Sequence, residues 1–312
     1  MLQTAVLMAT YNGELFIQDQ LDSIRNQTLR PDVVLIRDDG STDGTVAVVE
    51  AYIQTYQLEG WKILRNEKNL GWRRNFRQLM LDVLDYPVDY IFFSDQDDTW
   101  YLDKNQVQVD QMERHPDMDL LSADIDIEVL GENATVPSNF VFADQEQVLS
   151  KYPQDFTYHN YRQGWTFCLR ASYVRELMAA YPSDLIVSHD NLTAGVAGVL
   201  GTAYNLNRPV GLHKRHGGNA SGNILNLHSS RQRHLDELYL VLSYYTILEG
   251  VIRTRQHETE SKVQAYLQFN QKRYQYANGR KFLATFGQML TQGSFYDSLS
   301  NRIRDAIFLF KK

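Results

Sequence analysis

Three short apolar runs in the first hundred residues each stop at a cluster of polar or acidic side chains. Thr4–Met8 leads into Thr10-Tyr11-Asn12-Gly13, Val33–Arg37 into Asp38-Asp39-Gly40-Ser41-Thr42-Asp43-Gly44, and Tyr90–Phe93 into Ser94-Asp95-Gln96-Asp97-Asp98. Apolar runs of this length bounded by polar residues read as buried strands. Two more strands are predicted at Trp61–Leu64 and Leu120–Ile125, with helical patterns at Glu14–Gln27, Thr45–Tyr56, Asn75–Leu84 and Asp103–His115 between them. That alternation predicts an α/β fold, a mostly parallel sheet with helices on both faces. Ligands of open α/β sheets gather outside the carboxyl ends of the strands, so the three polar ends predict one site.

The chemistry of those ends points to a nucleotide and a metal. Strand alternation aims Asp95 and Asp97 the same way as the chain leaves the sheet. Carboxylates that converge there repel one another unless a cation sits among them. Hard divalent ions such as Mg²⁺ or Mn²⁺ take oxygen ligands from carboxylates together with substrate phosphates. The competing reading is a solvated acidic turn ahead of the helix near Asp103. At the second strand end, Gly40 permits a tight turn, and Ser41, Thr42 or Asp43 can cap the next helix. A cap needs one acidic residue, which leaves Asp38 and Asp39 over, and a carboxylate there can accept the N3–H of uracil or thymine.

The whole chain narrows the class. With 312 residues, 43% hydrophobic and 22% charged, it reads as an ordinary globular protein with a real core. Its net charge of −7 predicts no broad basic surface for nucleic acid. The single cysteine, Cys168, cannot form an internal disulfide, which suits a reducing cytoplasm. The N-terminus enters a strand without a basic leader, so no signal peptide is predicted. No apolar stretch approaches the roughly 20 residues that span a bilayer. Leu238 to Leu248 comes nearest, and Ser243 and Thr246 interrupt it.

Beyond residue 126 the pattern loosens. Residues 131–160 read as a long loop, Gly164–Leu169 as a buried strand, and Ser172–Ala180 and His189–Leu200 as helices. After Gly222, Leu235, Leu238, Leu242, Tyr245 and Ile252 mark one helix face; further helices are predicted at Glu258–Tyr276 and Tyr296–Phe310. The division expected is therefore 1–225 and a helical C-terminal appendage, 226–312. The last helix is amphipathic and locally basic. It would lie on an anionic membrane surface or serve in intramolecular or subunit packing, the latter giving a homo-oligomer.

The motifs Ala9-Thr10-Tyr11-Asn12-Gly13, Asp38-Asp39-Gly40-Ser41-Thr42-Asp43 and Ser94-Asp95-Gln96-Asp97-Asp98, in this order and at these distances, resemble the family 2 glycosyltransferases with the Rossmann-like GT-A fold of nucleotide-diphospho-sugar transferases. The likeness extends over residues 1–225 and is strongest to bacterial members that build surface polysaccharides, including rhamnosyltransferases. The resemblance implies metal ligation by Asp95, Asp97 and Asp98, and by His216 in Lys214-Arg215-His216-Gly217-Gly218-Asn219. It implies that Asp39 reads a pyrimidine base, that Thr10 and Tyr11 line its pocket, and that Asp95 also faces the donor. Arg73 and Arg74 become candidates for the diphosphate, against a solvated basic helix start. In Ser188-His189-Asp190-Asn191 the resemblance makes Asp190 the general base, with His189 behind it and helix capping as the alternative for Ser188 and Asp190. Relatives carry an aromatic residue in place of Asn191, which leaves the donor sugar and the acceptor open. Trp165 would stack on a sugar face or pack in the core.

The implied function is a metal-dependent inverting glycosyltransferase using Mn²⁺ or Mg²⁺ and a UDP- or dTDP-sugar. It would be cytoplasmic, or peripheral on the inner face of the membrane, and would extend a bacterial surface glycan. A protein-linked glycan is the alternative acceptor, and a glycan-binding or scaffolding subunit the alternative of another class. A nucleotidyltransferase would need a glycine-rich basic phosphate loop after the first strand, and Thr10-Tyr11-Asn12-Gly13 is not one.

Overall fold

The N-terminal apolar run forms strand β1 (Thr4–Thr10), and Ala5 through Met8 have no solvent exposure. Burial on both faces is why this strand reads as a continuous apolar run rather than an alternating one. β2 (Val33–Asp38) pairs parallel on one side of it and is extended by β3 (Trp61–Arg65), also parallel. β4 (Tyr90–Ser94) pairs parallel on the other side. The register sets Thr10 opposite Asp38 and Met8 opposite Ser94, so the three polar strand ends emerge side by side. The computed structural model describes residues 2–130, 140–159, 161–215 and 229–311.

Five shorter or bent strands complete the sheet: β5 (Thr99–Trp100), β6 (Leu120–Val129), β7 (Leu149–Lys151), β8 (Cys168–Arg170) and β9 (Ala203–Arg215). The order is β3-β2-β1-β4-β8-β6-β9-β5, with β7 also on β9. β6 and β9 are parallel, whereas β8, β5 and β7 join antiparallel. Helices α1 (Ile17–Arg25), α2 (Thr45–Tyr56), α3 (Trp72–Asp82), α4 (Lys104–Arg114), α5 (Ala171–Ala179) and α6 (His189–Leu200) cover both faces. One core layer holds Leu21 and Ile24 of α1, Val49 of α2 and Met112 of α4. The other holds Phe76 and Leu79 of α3, Val174 and Leu177 of α5, and Leu192 and Val196 of α6.

Four more helices follow: α7 (Arg231–Thr254), α8 (Glu260–Asn278), α9 (Phe282–Thr291) and α10 (Leu299–Leu309). The inner face of α7 enters the second core layer directly. Tyr244, Tyr245, Ile247, Leu248, Val251 and Ile252 are buried in the same cluster as the α3, α5 and α6 side chains. Tyr244 Oη lies so close to α6 that a Cβ on Gly195 would stand 2.6 Å from it. At the end of α7, Arg255 donates to Glu176 of α5 at 2.6 Å and to Asp119, next to β6, at 2.8 Å. The predicted boundary at 225 lies outside the described residues.

Several expectations are corrected. Gly164–Leu169 is not one strand: Gly164–Thr166 is a 3₁₀ turn, and only Cys168–Arg170 joins the sheet. A short apolar run between turn residues fits a buried turn as well as a ladder. β5, β7 and α9 have no counterpart among the predicted elements. The β5 and β7 pairings exist only because β9 passes between segments distant in sequence. Residues 131–160, expected as a loop, contribute β7; 131–139 and 160 are outside the described residues. No helix among the described residues is long and apolar enough to cross a membrane.

Candidate active site

The first two strand ends are zipped together by side-chain-to-backbone bonds. Asn12, which adopts φ +48°, accepts the Thr42 amide at 2.8 Å, and its own amide donates to Ser41 Oγ at 2.8 Å. The Gly44 amide donates to Glu14 at 2.8 Å. Asp38 turns the chain: its Oδ1 accepts the Gly40 and Ser41 amides at 3.1 and 2.9 Å, and Oδ2 accepts Thr10 Oγ1 at 3.2 Å. Gly40 adopts φ +82°, a conformation that favours glycine. Asp43, one residue ahead of the Gly44 N-cap of α2, accepts both the amide and the hydroxyl of Thr45.

Asp39 is buried and also engaged. It accepts Leu70 and Gly71 amides at 2.8 Å each and Asn66 Nδ2 at 2.9 Å. Neither Asp38 nor Asp39 is therefore left over, as the count of helix caps had suggested; the turn and the loop before α3 use them. Asp39 still sits at the end of β2 beside β1. Thr10 is buried with its hydroxyl on Asp38, while the Tyr11 ring is 47% exposed. The Tyr11 peptide is clamped on both sides by the Gln96 amide: its N–H donates to Oε1 at 2.9 Å and its carbonyl accepts Nε2 at 3.0 Å. Gln96 thus locks the third strand end onto the first.

The acidic turn after β4 is electrostatically tense. Burial, then the negative charges of Asp98, Asp97 and Asp190, hold the Asp95 carboxyl well above the ordinary carboxylate range. Asp98 is fully buried, and burial pushes it up to about 6 even though His213 Nδ1 donates to it at 2.6 Å. Arg215 in turn donates to His213 Nε2 at 3.4 Å. Asp98 Oδ2 is buried without a hydrogen-bond partner among the described residues. The sequence reading missed His213 and Gln96. Strand alternation places His213 and Arg215 on one face of β9, but only the β5–β9 pairing, Thr99 opposite Leu212, brings that face to Asp98.

Asp190 reaches this cluster from the other core layer. It stands in the first turn of α6, where Oδ1 accepts the Asn191 amide at 2.8 Å and the Ser188 hydroxyl. Its neighbour His189 is buried and stacked on Phe76 at 3.7 Å between ring centroids, with Phe93 edge-on at 4.7 Å. Burial pushes the imidazole down to about 4, so it is neutral near pH 7, a packing residue rather than a poised base. Gly164 lets this helix start approach: a Cβ there would stand 2.4 Å from His189 Nε2 and 3.3 Å from Asp190 Cβ.

The remaining candidates separate. The positive charge of Arg73 is felt by His189 and by Tyr158, which also feels Asp190. That of Arg74 is felt by Tyr239 of α7, and Tyr181 feels both arginines. Trp165 has no solvent exposure and lies 6.1 Å from the His213 ring in a stacked arrangement, which corrects the sugar-stacking expectation in favour of core packing. Lys214 pairs with Asp19 of α1 at 2.9 Å. His216 lies outside the described residues.

The acidic turn suits a cation. An ion there would relieve the mutual repulsion of Asp95, Asp97, Asp98 and Asp190 and give the unpartnered Asp98 Oδ2 a ligand. Among the described residues no three His, Cys, Asp or Glu side chains converge closely enough to hold a metal by themselves. An ion held there would have to complete its shell with oxygens from elsewhere, such as the phosphates of a bound nucleotide.

The signature of the family described as Glycosyl transferase family 2 matches residues 5–169. The dTDP-rhamnosyl transferase RfbG of Shigella flexneri is 42% identical over 103 residues, 33% of this chain and 36% of that protein. The chain thus matches about a third of the length of the curated relatives it resembles. TarS of S. aureus, solved in complex with UDP-GlcNAc, superposes with a TM-score of 0.62 at 16% identity, covering 99% of this chain and 90% of that one. The mannosyltransferase PcManGT of Pyrobaculum calidifontis, solved with GDP-Man and Mn²⁺, gives 0.51 at 13% identity, covering 98% and 84%. At these identities the structural likeness shows the fold.

Proposed function

The chain belongs to glycosyl transferase family 2 and has the GT-A fold, and from that premise we propose a metal-dependent, inverting enzyme that transfers a sugar from a dTDP- or UDP-sugar to a bacterial surface glycan. The observation that carries this reading is the Asp190 helix start packed against the end of β4, where His189 stands edge-on to Phe93 at 4.7 Å, two residues ahead of Asp95, and the Asp190 charge reaches Asp95. Rhamnose from dTDP-rhamnose is the first donor to test, in keeping with the similarity to RfbG; a UDP-hexose comes second.

Asp190 takes the proton from an acceptor hydroxyl. The hydroxyl oxygen bonds to the anomeric carbon from the opposite side of the leaving group, and the bond to the nucleoside diphosphate breaks, inverting the centre. Asp95 and Asp97, with Asp98 Oδ2, would hold Mn²⁺ or Mg²⁺, and His216 is proposed as a further ligand. When bound, the ion supplies charge neutralisation for the departing diphosphate. Thr10, Tyr11 and Asp39 are the proposed pyrimidine side, and Arg74, with Arg73 beside it, is the proposed cation for the diphosphate. The described residues beyond 225 complete the fold around this site, with residues 1–225 the proposed catalytic part.

Calorimetric titration of dTDP, UDP and GDP sugars with and without Mn²⁺ tests the reading. One pyrimidine donor should bind in a Mn²⁺-dependent way, and Asp97→Asn should lose that dependence while melting like the wild type. Donor binding indifferent to Mn²⁺ in both proteins would remove the metal from the proposal.

A further inference from the structure

Helix α9 is built inside out. Its buried residues are the polar Thr285 and Gln288, and Gln288 Nε2 donates to the Phe269 carbonyl at 3.0 Å. Its apolar residues face solvent: Leu283 is 90% exposed and Leu290 78%, and Phe282 and Phe286 are exposed with them. At 100° per residue, positions 282, 283, 286 and 290 share one side of the helix. The neighbouring α10 repeats the arrangement. Asp305, Phe308 and Leu309 point inward, while Leu299, Ile303 and Phe310 are exposed along the opposite side. Rings of Phe282 and Phe310 meet at 5.1 Å, so the two stripes join into one apolar surface. An apolar surface of this kind on a folded protein marks an interaction site.

The occupant is indicated by charge. Residues 279–312 carry Arg280, Lys281, Arg302, Arg304, Lys311 and Lys312 against Asp297 and Asp305, in a chain of net charge −7. Asp305 is itself neutralised inside the protein by Arg273 at 2.6 Å. Arg280 and Lys281 stand exposed just ahead of α9, and Arg302 and Arg304 fall on either side of the exposed α10 stripe, whereas Lys311 turns to the Ser229 carbonyl. An apolar face flanked by these four cations is complementary to an anionic lipid surface. A second copy of the chain is a poorer fit, because a two-fold interface would bring the same basic rim against itself. We infer that the α9–α10 face seats this protein on the surface of an anionic bilayer. Phe282, Leu283, Phe286, Leu290 and Phe310 enter the acyl boundary, and the basic residues meet lipid phosphates. α10 is then not a free tail but part of a rigid two-helix platform, held to α7 and α8 by its buried face.

Sedimentation of the full chain with vesicles tests this. The wild type should bind phosphatidylglycerol–phosphatidylcholine vesicles, release them as salt rises, and bind pure phosphatidylcholine far more weakly. Leu283→Glu combined with Leu290→Glu, both at exposed positions, should lower vesicle binding at least ~10-fold with an unchanged melting temperature. Arg280→Gln with Lys281→Gln should weaken binding to the anionic vesicles alone. Light scattering supplies the opposing outcome: a wild type that ignores both vesicles and is oligomeric, with Leu283→Glu/Leu290→Glu turning monomeric, would make the face a subunit interface and overturn the inference.

Discussion

At Asp190 one carboxylate meets two demands, since Oδ1 holds the start of α6 through Ser188 and the Asn191 amide while the charge is felt at Asp95. Asp190→Asn keeps an acceptor oxygen and removes only the charge, so it separates them. If the proposed base role holds, turnover should fall ~10²–10⁴-fold with donor affinity nearly constant. A pure cap would instead show wild-type turnover and a loss of stability of at most about 1 kcal/mol. Gly164 offers an independent probe that leaves every titratable group in the chain. The methyl of Gly164→Ala must displace the His189 ring and presses on the Asp190 Cβ. A shift of ~1 Å at a reacting group lowers turnover by ~10²-fold. Steady-state kinetics beside donor titration should show that loss with donor binding retained; unchanged turnover would mean the placement of this helix start is not critical.

Among the elements, α10 depends most visibly on one buried contact. Asp305 accepts from Arg273 of α8 at 2.6 Å and lies 3.3 Å from His234 Nε2 of α7, whose ring stacks on Phe308 at 4.6 Å. Burial raises the Asp305 carboxyl, but the Arg273 charge and the hydrogen bonds from His234 and Arg273 outweigh it and hold it below its ordinary value. A carboxyl depressed in the folded state stabilises it fully above the unfolded pKa of ~4 and loses that contribution as pH falls through the lower folded value. Asp305→Asn should therefore cost about 3–5 kcal/mol near neutral pH, because Arg273 is left buried without its partner. The difference from wild type should shrink on acidification below ~4. Urea melts across that range check it, and a difference that stays constant with pH would mean the charge of the Asp305 carboxylate contributes little.

On the scale of the whole molecule, α7 is the question. Its Tyr244, Ile247, Leu248 and Val251 share a core with α3, α5 and α6, and Arg255 ties its end to Glu176 and Asp119. A chain ending after residue 229 would expose that layer to water, so it should aggregate or melt without a cooperative transition. A sharp, reversible melt of the shortened chain would show that residues 1–225 stand alone. The sequence by itself determined what depends on near neighbours. The apolar runs of β1, β2 and β4 with their polar ends, the extent of His189–Leu200 and the Ser188–Asp190 helix start are all local patterns, because strand and helix periods repeat within a few residues. Only the tertiary structure decided what depends on distant partners. β9 brings His213 to Asp98 across more than a hundred residues, and the loop before α3 claims Asp39. The outward apolar face of α9 belongs to the same class, because the surrounding packing alone determines which side of a helix water reaches.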